Sequence, residues 1–465
     1  MSIVRGQWSL VFLLFFLSFL ILTKFNIDPD FGWHMAYGET FLKTHEIIRA
    51  DPFSWTMPNY EWGNSYFLYQ ILVAYIFGKF GFLFLGIVFG VIGAIAVLIL
   101  SFKKLDFFKV AFATIGTVVA RANLAVRPHT LSFLFFAVFL IFLEKRFFVK
   151  RVHIFLWFLF FALWANIHRA FGVGLLIFAA FLCFDIINRK EYRDRQKLIT
   201  CASCLAASFL ATFLTPFSFD LWKSGVFFDL TTFENLRFIA EWQSLVFAPP
   251  ASIFLALTGV VFAVLINKKH KQIGPVWTTI GALLFSLAFV SATFAFFWAA
   301  IFVFIVCRHL EIKLNLPSDF WSKVPLIFGA IAAFCALFLN FCASFLESYD
   351  FENRLRMDGY PVKAISYLNQ KGFTNGLFNN YEWGGFIDFR GQVVKVFIDG
   401  RMAGWRMSNG RSILGHYIAI KEGNCALANE YKIETVLTKR NSNLSCFSDW
   451  KIEYEDESAK SLSRG

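Results

Sequence analysis

The chain has 465 residues, of which 57% are hydrophobic and 16% are charged. This composition, with a mean hydropathy of +0.58, excludes an ordinary soluble enzyme and indicates repeated membrane-spanning helices. The net charge of +12 does not indicate a nucleic-acid-binding protein, because the basic residues lie in short clusters between apolar runs and form no recognition motif. In a membrane protein, such clusters predict which loops remain on the cytoplasmic side.

The first apolar run predicts an uncleaved membrane anchor. It covers residues 8–25, and the small-residue cleavage motif of a signal peptide does not follow it. The basic loops predict a cytoplasmic N-terminus, so residues 26–63 form an outer loop with a short helix of its own over 33–45. The next stretch, 62–80, contains Lys79 and several polar or aromatic residues, which favours a segment lying in the membrane interface.

The remaining apolar runs alternate with basic loops and predict further membrane-spanning helices, which bring the total to about eleven. The last of them would export the C-terminal part of the chain. These predicted helices cover residues 81–102, 107–120, 130–143, 152–165, 171–187, 198–214, 250–266, 274–291, 294–307 and 324–345.

The composition changes from Leu346 onward, where the long apolar runs stop and charged residues, Gly and Asn become frequent. We therefore expect a transmembrane domain of residues 1–345, which carries the outer loop 26–63, and a small exported domain of residues 346–465. Helix and strand patterns alternate in the exported domain, which is typical of an α/β sandwich. The predicted helices cover 361–370 and 411–421, and the predicted strands cover 376–379, 393–398, 433–438, 451–454 and 459–462.

Two carboxylates, Asp28 and Asp30, stand on either side of Pro29 directly after the first predicted helix. Charged groups at a membrane surface do not help a helix to span lipid, and they are costly if buried without partners. The pair is therefore a candidate site. The alternative is a helix cap, in which Asp30 accepts backbone N–H bonds from the helix that begins near Gly32.

The predicted outer face collects most of the remaining polar chemistry. Carboxylates there could act as acids or bases, and guanidiniums could bind a phosphate through two hydrogen bonds. Arginine at the outer end of a helix runs against the positive-inside trend, and its alternatives are a phosphate site and an interaction with lipid headgroups. The candidate residues are His34, Glu39, Asp51, Arg121, Arg127, His129, Asn166, His168, Arg169 and Glu241.

Two features of the exported domain also give expectations. Cys425 and Cys446 lie within it, where an oxidising compartment permits a disulfide, although their spacing does not decide whether they pair. Asp399-Gly400-Arg401 ends a predicted buried strand. Asp-Gly is a common turn pair, and the alternative for Arg401 is a simple pairing with Asp399. We expect Arg401 to face a cavity or a docking surface, so that its replacement by Ala leaves the melting temperature of the isolated domain nearly unchanged.

Several motifs, in order along nearly the whole chain, resemble those of prokaryotic multi-pass membrane proteins similar to GT-C-type glycosyltransferases. Arg169 departs from the family pattern, which usually has Gly there, and the start of the helix at 291–297 lacks a basic residue that members often carry. The motifs are Asp28-Pro29-Asp30-x-x-Trp33-His34-x3-Gly38-Glu39, Asp51-Pro52-Phe53-Ser54, Trp164-Ala165-Asn166-Ile167-His168, Thr215-Pro216-Phe217, Phe238-Ile239-Ala240-Glu241-Trp242, Phe378-Asn379-Asn380-Tyr381-Glu382-Trp383-Gly384-Gly385 and Val396-Phe397-Ile398-Asp399-Gly400-Arg401.

The resemblance implies an all-α polytopic membrane domain with a GT-C-like fold, followed by the small exported α/β domain. It implies transfer of a sugar from a polyprenyl-phosphate donor to an envelope glycan, lipid or protein acceptor at the outer face of the cell membrane. Asp30 or Asp28 would be the base, Arg401 would contact substrate, and the exported domain would cap the cavity and help to select the acceptor. Arg121, Arg127 and Arg169 would stabilise the departing phosphate, with His34, His129 and His168 as further phosphate or metal contacts. A divalent metal ion is the candidate cofactor, and none is certain.

The competing class is a non-enzymatic component of polysaccharide or lipid translocation or assembly with the same architecture. Transport predicts charged residues in the middle of helices, facing a path through the membrane. The charges of this chain cluster at helix ends instead, which favours chemistry at the outer face.

Overall fold

The computed structural model describes residues 2–226, 238–312 and 320–464. Residue contacts divide the chain into two compact units. The outer loop that was expected to belong with the transmembrane residues groups with the C-terminal residues instead. Unit 1 consists of Met1–Phe25, Gly86–Leu214 and Leu236–Leu346, and unit 2 consists of Asn26–Leu85, Thr215–Asn235 and Glu347–Gly465.

Helices dominate the described residues. In chain order they are α1 (Ser2–Leu22), α2 (Phe31–Thr44), α3 (Phe67–Leu100), α4 (Phe107–Ala120), α5 (Pro128–Glu144), α6 (Val152–Ala165), α7 (Phe171–Asn188), α8 (Arg195–Ala211), α9 (Ala251–Ile273), α10 (Pro275–Val290), α11 (Ala295–His309), α12 (Phe320–Glu347), α13 (Phe351–Met357), α14 (Val362–Gln370), α15 (Gly384–Arg390), α16 (Ile413–Lys421) and α17 (Cys425–Glu430).

The helix α11 lies in the core of unit 1, where every residue from Ala295 to Cys307 is buried. A helix that is apolar on all sides is stable when other protein elements or lipid surround it, and here the protein itself covers it. Its polar atoms are paired: Trp298 Nε1 donates to Thr258 Oγ1 on α9 at 2.9 Å, and Arg308 donates to both carboxylate oxygens of Glu144 on α5 at 2.8 Å. Apolar packing, with a few hydrogen bonds and an ion pair, therefore stabilises the core of unit 1.

The count of about eleven membrane-spanning helices is wrong by length and hydropathy. Four helices of the described residues are long and apolar enough to cross a bilayer, or five if the bent pair 331–347 and 351–357 is one span. Five other apolar helices are only 10–17 residues long. A helix of 14 residues rises about 21 Å, which is short of a hydrocarbon core of about 30 Å. The predicted helices exist, but several are too short to cross the whole hydrocarbon core.

The helix α3 is interrupted at Gly81, whose φ of +80° is not helical. The sequence predicted that a new helix begins at this residue, and the break lies there. Residues 67–80 are also helical, so the two segments form a single bent element.

The sheet of unit 2 has four strands in the order β1-β2-β4-β3. The strands are β1 (Leu377–Asn379), β2 (Thr435–Lys439), β3 (Lys451–Glu455) and β4 (Ala459–Ser463). The pair β1 and β2 is parallel, whereas β4 runs antiparallel to both β2 and β3. The expected pairing of residues 459–462 beside the last strands is confirmed, and with it an α/β C-terminal region.

The predicted strand 393–398 is wrong. It forms only an isolated parallel bridge, between Val396 and Ser54 of the outer loop. Val396 accepts from Trp55 N at 3.1 Å and donates to Phe53 O at 3.0 Å, while Asn379 Oδ1 accepts from Phe397 N at 2.8 Å. The segment is buried and apolar like a strand, but a loop and a side chain satisfy its backbone.

Cys425 and Cys446 form a disulfide, with Cα atoms 5.0 Å apart. The other six cysteines form no disulfide among the described residues. Closing a loop of about 20 residues restricts the unfolded chain and stabilises the fold by about 3 kcal/mol in the chain-entropy account. The bond fits an oxidising compartment.

We predict that thiol labelling of the denatured, unreduced protein modifies six cysteines, and that eight react after reduction. Cys425→Ser with Cys446→Ser is the matched control, which should give six labels under both conditions. Eight labels on the unreduced wild-type protein isolated from its native membrane would contradict the disulfide.

Candidate functional site

The candidate residues form groups that lie within single units. Unit 2 contains the acidic segment, which we define as Asp28, Pro29 and Asp30, and the Arg401 cluster, which we define as Tyr37, Asp51, Asp388, Asp399 and Arg401. Unit 1 contains the arginine–histidine cluster, which we define as Arg127, His129, His168, Arg169 and Glu241.

The acidic segment forms a turn that leads into α2. Asp28 Oδ1 accepts from the backbone N–H of Asp30 at 3.0 Å, and Asp28 O accepts from Phe31 N at 2.9 Å. Asp30 is the residue before α2, but its side chain makes no capping hydrogen bond. Its Oδ1 accepts from Trp33 Nε1 at 2.9 Å instead. Both carboxylates are half-buried, so they are oriented by the protein and still reach solvent.

The α2 residues that follow differ in their surroundings. His34 is buried, its ring 3.6 Å from that of Trp33 and 4.7 Å from that of Tyr69, and its Nδ1 lies 3.5 Å from Gln70 Nε2. Glu39 lies at the surface and accepts from Lys43 at 2.9 Å. An exposed ion pair of this kind contributes little to stability.

Arg401 is the centre of the second group in unit 2. Its side chain has no exposed surface, and it donates to Asp51 Oδ1 at 2.7 Å, to Asp399 Oδ1 at 2.9 Å and Oδ2 at 2.5 Å, and to Tyr37 Oη at 2.8 Å. Asp388 lies 3.6 Å from its Nη2. Three carboxylates therefore surround one cation. Arg401 pairs with Asp399, which was the alternative. It also joins Asp51 and Tyr37 to the C-terminal part of the unit, while its side chain has no exposed surface.

Within the Arg401 cluster, the pKa values of Asp51 and Asp388 are shifted in opposite directions. Burial opposes the ionisation of Asp51, but the charge of Arg401 and hydrogen bonds from Ser54 hold the pKa of Asp51 below its ordinary value. Burial, and then the adjacent charge of Asp399, raise the pKa of Asp388 well above the ordinary value. Neither oxygen of Asp388 has a hydrogen-bond partner among the described residues. Within the cluster, the surroundings therefore oppose ionisation of Asp388 and favour ionisation of Asp51.

The arginine–histidine cluster of unit 1 is built around an ion pair. Arg127 Nη1 donates to Glu241 Oε2 at 2.6 Å, and the guanidinium of Arg169 lies 5.8 Å from the centre of the Trp242 ring. Glu241 is in the short 3-10 helix Ala240–Trp242, and its carbonyl accepts from Thr293 Oγ1 at 3.2 Å. Burial opposes the ionisation of Glu241, but the nearby cations, Arg127 first, hold its pKa below the ordinary value.

Two histidines lie in contact within this cluster. The rings of His129 and His168 have centres 4.4 Å apart. Ser132 Oγ lies 2.8 Å from His168 Nδ1 and accepts from Trp164 Nε1 at 2.9 Å. Five predicted site residues, from three separate parts of the sequence, thus meet in unit 1 and provide two guanidiniums with one carboxylate.

The two remaining candidates make backbone contacts. Arg121 ends α4, and its Nη1 donates to the carbonyl of Ile21 in the last turn of α1. Asn166 Nδ2 donates to the carbonyls of Ala162 and Leu214, each at 2.8 Å. The carbonyls of Ile21 and Ala162 lie in the last turns of α1 and α6, where the helix leaves them without partners, and Leu214 lies beyond the end of α8.

Metal ligation has a limited basis in the residues that the structure describes. No group of three or more His, Cys, Asp or Glu side chains in those ranges could hold a metal ion. Asp28 and Asp30 supply two carboxylates of the kind that a divalent cation prefers. They are the residues that would contact such an ion.

Sequence reasoning did not identify Trp33, Asp388 and Gly400 as parts of these groups. Trp33 was noted only within a motif, although an indole N–H three residues after a carboxylate can reach it from the same helix turn. Asp388 follows a Gly-Gly pair on α15, and nothing in its local pattern marks it as buried. Gly400 begins a 3-10 helix, in keeping with the expected turn, and its backbone also packs against Asp30.

Two solved structures share the fold of this chain. One is the archaeal oligosaccharyltransferase AglB from Archaeoglobus fulgidus, in complex with an inhibitory peptide and a dolichol-phosphate. The match covers 93% of this chain and 69% of the AglB chain, with a TM-score of 0.54 and 12% sequence identity. The other is the apo form of the Archaeoglobus fulgidus oligosaccharyltransferase, for which the match covers 93% of this chain and 69% of that chain, with a TM-score of 0.52 and 10% sequence identity. No protein-family model and no curated protein matches the chain. At these identities the likeness shows that the chain shares the fold of these structures, and it shows nothing finer.

The raised pKa of Asp388 predicts how stability depends on pH. Because folded Asp388 keeps its proton to a higher pH than the unfolded chain does, the free energy of unfolding falls as pH rises from the ordinary carboxyl range towards the raised pKa. Asp388→Asn removes this fall and should be at least as stable as the wild type at pH 8. Asp399→Asn removes a charged partner of buried Arg401 and should cost about 3–5 kcal/mol.

The measurement is the melting temperature of the full-length protein in detergent at pH 5 and pH 8, followed by tryptophan fluorescence. Both substitutions replace a carboxyl by an amide of nearly the same shape, so each is the control for the other. A large loss of stability in Asp388→Asn at both pH values would contradict the protonated state.

Proposed function

We propose that this protein is a membrane-embedded glycosyltransferase, which transfers a sugar from a polyprenyl-phosphate donor to a cell-envelope acceptor at the outer face of the membrane. The observation that carries the proposal is the acidic segment: a half-buried Asp30, oriented by Trp33, in a chain with the fold of an oligosaccharyltransferase. A carboxylate that is held in place and still reaches solvent suits a general base.

The proposed reaction is an inverting displacement. Asp30 accepts the proton of an acceptor hydroxyl while the hydroxyl oxygen forms a bond to the anomeric carbon of the sugar. The bond between that carbon and the phosphate oxygen breaks, and its electron pair leaves with the polyprenyl phosphate. Asp28, which holds the turn through Asp30 N, orients the base or contacts a divalent cation on the phosphate side.

The phosphate-binding role is proposed for the arginine–histidine cluster of unit 1. Cationic side chains stabilise the charge that develops on a departing phosphate. Arg127 and Arg169 are the main candidates, since guanidiniums bind phosphate oxygens in pairs. Glu241 holds Arg127 at 2.6 Å and so orients it, and His129 and His168 are the further contacts.

The proposed topology has a cytoplasmic N-terminus and an exported C-terminal region. The basic loops of the sequence and the Cys425–Cys446 disulfide support it. The acceptor is then an envelope glycan, lipid or protein, and the donor is a lipid-linked sugar that the membrane supplies.

Asp30→Asn is expected to lower sugar transfer by roughly 10²-fold or more, because the amide keeps the shape and cannot accept the proton. Its oxygen can still accept from Trp33, so the folded protein should reach the membrane at the wild-type level. The test is mass spectrometry of envelope glycans and polyprenyl-linked lipids from cells with the wild type, the variant or no protein. Glu455→Gln, which alters an exposed carboxylate paired with Arg440, is the matched control.

Full transfer by Asp30→Asn, together with loss of transfer in Asp28→Asn, would move the base to Asp28. Full transfer by both variants would contradict general-base catalysis by the acidic segment. Identical glycans and lipids with and without the protein would favour the non-enzymatic class.

Arg169→Gln should weaken binding of the donor phosphate and leave the rate of the chemical step with the acceptor unchanged. We expect KM for the lipid-linked donor to rise about tenfold, in line with the loss of one charge-assisted hydrogen bond of about 1.5 kcal/mol or more. The measurement is transfer by membranes as a function of donor concentration, with Lys190→Gln on a predicted cytoplasmic loop as the control. An unchanged KM with normal protein level would remove Arg169 from the phosphate site.

A further inference from the structure

The acidic segment lies against backbone that follows it by more than 300 residues in the same unit. Ile27 N donates to Asp358 Oδ2 at 2.7 Å, and Ile27 O accepts from Tyr360 Oη at 3.2 Å. Arg354 in turn donates to both oxygens of Asp358, at 3.1 and 2.5 Å. The backbone N–H and the carbonyl of Ile27, the residue before the acidic segment, are therefore both held by hydrogen bonds.

Two glycines of the C-terminal part touch the segment itself. A Cβ atom at Gly400 would overlap Asp30 Oδ1 and would stand 3.4 Å from Trp33 Nε1. A Cβ atom at Gly385 would overlap the carbonyl of Pro29 and would stand 3.0 Å from Trp33 Cδ1. Contacts below 3 Å require something to move, and here the neighbours are a turn carbonyl and a carboxylate.

The backbone conformation of these glycines does not itself demand glycine. Gly385 lies in the helix α15, and Gly400 begins the 3-10 helix Gly400–Gly404. Alanine is compatible with both conformations. The constraint is therefore the close approach of the acidic segment.

We propose that Gly385 and Gly400 are positioning residues for the Asp30 carboxylate, so that the C-terminal region sets the direction of the base. The inference rests on the proposed function for its catalytic half. Gly400 packs against the hydrogen bond from Trp33 to Asp30, and the neighbouring Arg401 is immobilised by three carboxylates. The Arg401 cluster thereby fixes the place of Gly400, and Gly400 fixes the place of Asp30.

Gly400→Ala should displace Asp30 and lower transfer by roughly 10²-fold, the usual effect of about 1 Å of misplacement in a reacting group. The matched control is Gly78→Ala, a helical glycine of α3 at which an added Cβ meets nothing within 4 Å. Hydrogen–deuterium exchange of peptides covering residues 26–38, measured on the full-length protein in detergent, should rise at least severalfold in Gly400→Ala and stay unchanged in Gly78→Ala.

A double-mutant cycle separates this contact from a general structural effect. In an Asp30→Ala background the overlapping carboxylate is gone, so Gly400→Ala should add little to the exchange of residues 26–38 or to the loss of melting temperature. Equal effects of Gly400→Ala with and without Asp30 would overturn the inference. Gly385→Ala gives a second, independent variant, whose overlap is with Pro29 and should persist in the Asp30→Ala background.

The transfer assay uses a synthetic polyprenyl-phosphate-linked hexose and membranes that contain each variant. Wild-type transfer by Gly400→Ala, in a protein whose exchange shows the displacement, would overturn the catalytic half of the inference. Coupling in the cycle combined with no transfer by the wild-type protein would overturn the proposed function and confirm the contact between Gly400 and Asp30.

Discussion

A guanidinium with no exposed surface is stable only if nearby groups neutralise it, and in unit 2 this requirement applies to Arg401. Asp51 comes from the outer loop, while Asp388 and Asp399 come from the C-terminal part of the chain. One cation thus binds segments that are about 350 residues apart in sequence into a single compact unit. Asp51 and Asp399 together already outweigh the one positive charge of Arg401. Burial and the charge of Asp399 raise the pKa of the third carboxyl, Asp388.

The two groups of charged residues in unit 2 differ in how far they are buried. The Arg401 cluster is completely enclosed and therefore suits a structural role, whereas Asp28 and Asp30 are half-buried and remain open to a reactant. A general base has to be both oriented and reachable, and the acidic segment meets the two conditions through Trp33 and the backbone of Gly400. The two guanidiniums of unit 1 are restrained separately, since Arg127 pairs with Glu241 and Arg169 lies over the ring of Trp242.

Local pattern predicted the elements well and their long-range contacts poorly. The helices 107–120 and 152–165 were predicted with the bounds that α4 and α6 have, because apolar runs end sharply at charged or polar residues. Burial alone does not distinguish a strand from a buried loop, so residues 393–398 were assigned wrongly. The acidic segment could be identified from its charges, but its contact with Gly400 and the burial of Arg401 depend on chain segments that only the folded structure brings together.

The central claim is that a polyprenyl phosphate leaves as the sugar is transferred with inversion at its anomeric carbon. The most direct measurement combines mass spectrometry of the lipid products with nuclear magnetic resonance of the glycosylated acceptor, after reaction of the purified protein with a donor of known anomeric configuration. We expect one polyprenyl phosphate for each sugar transferred and the opposite anomeric configuration in the product. Retention of configuration, or transfer without release of polyprenyl phosphate, would contradict the account.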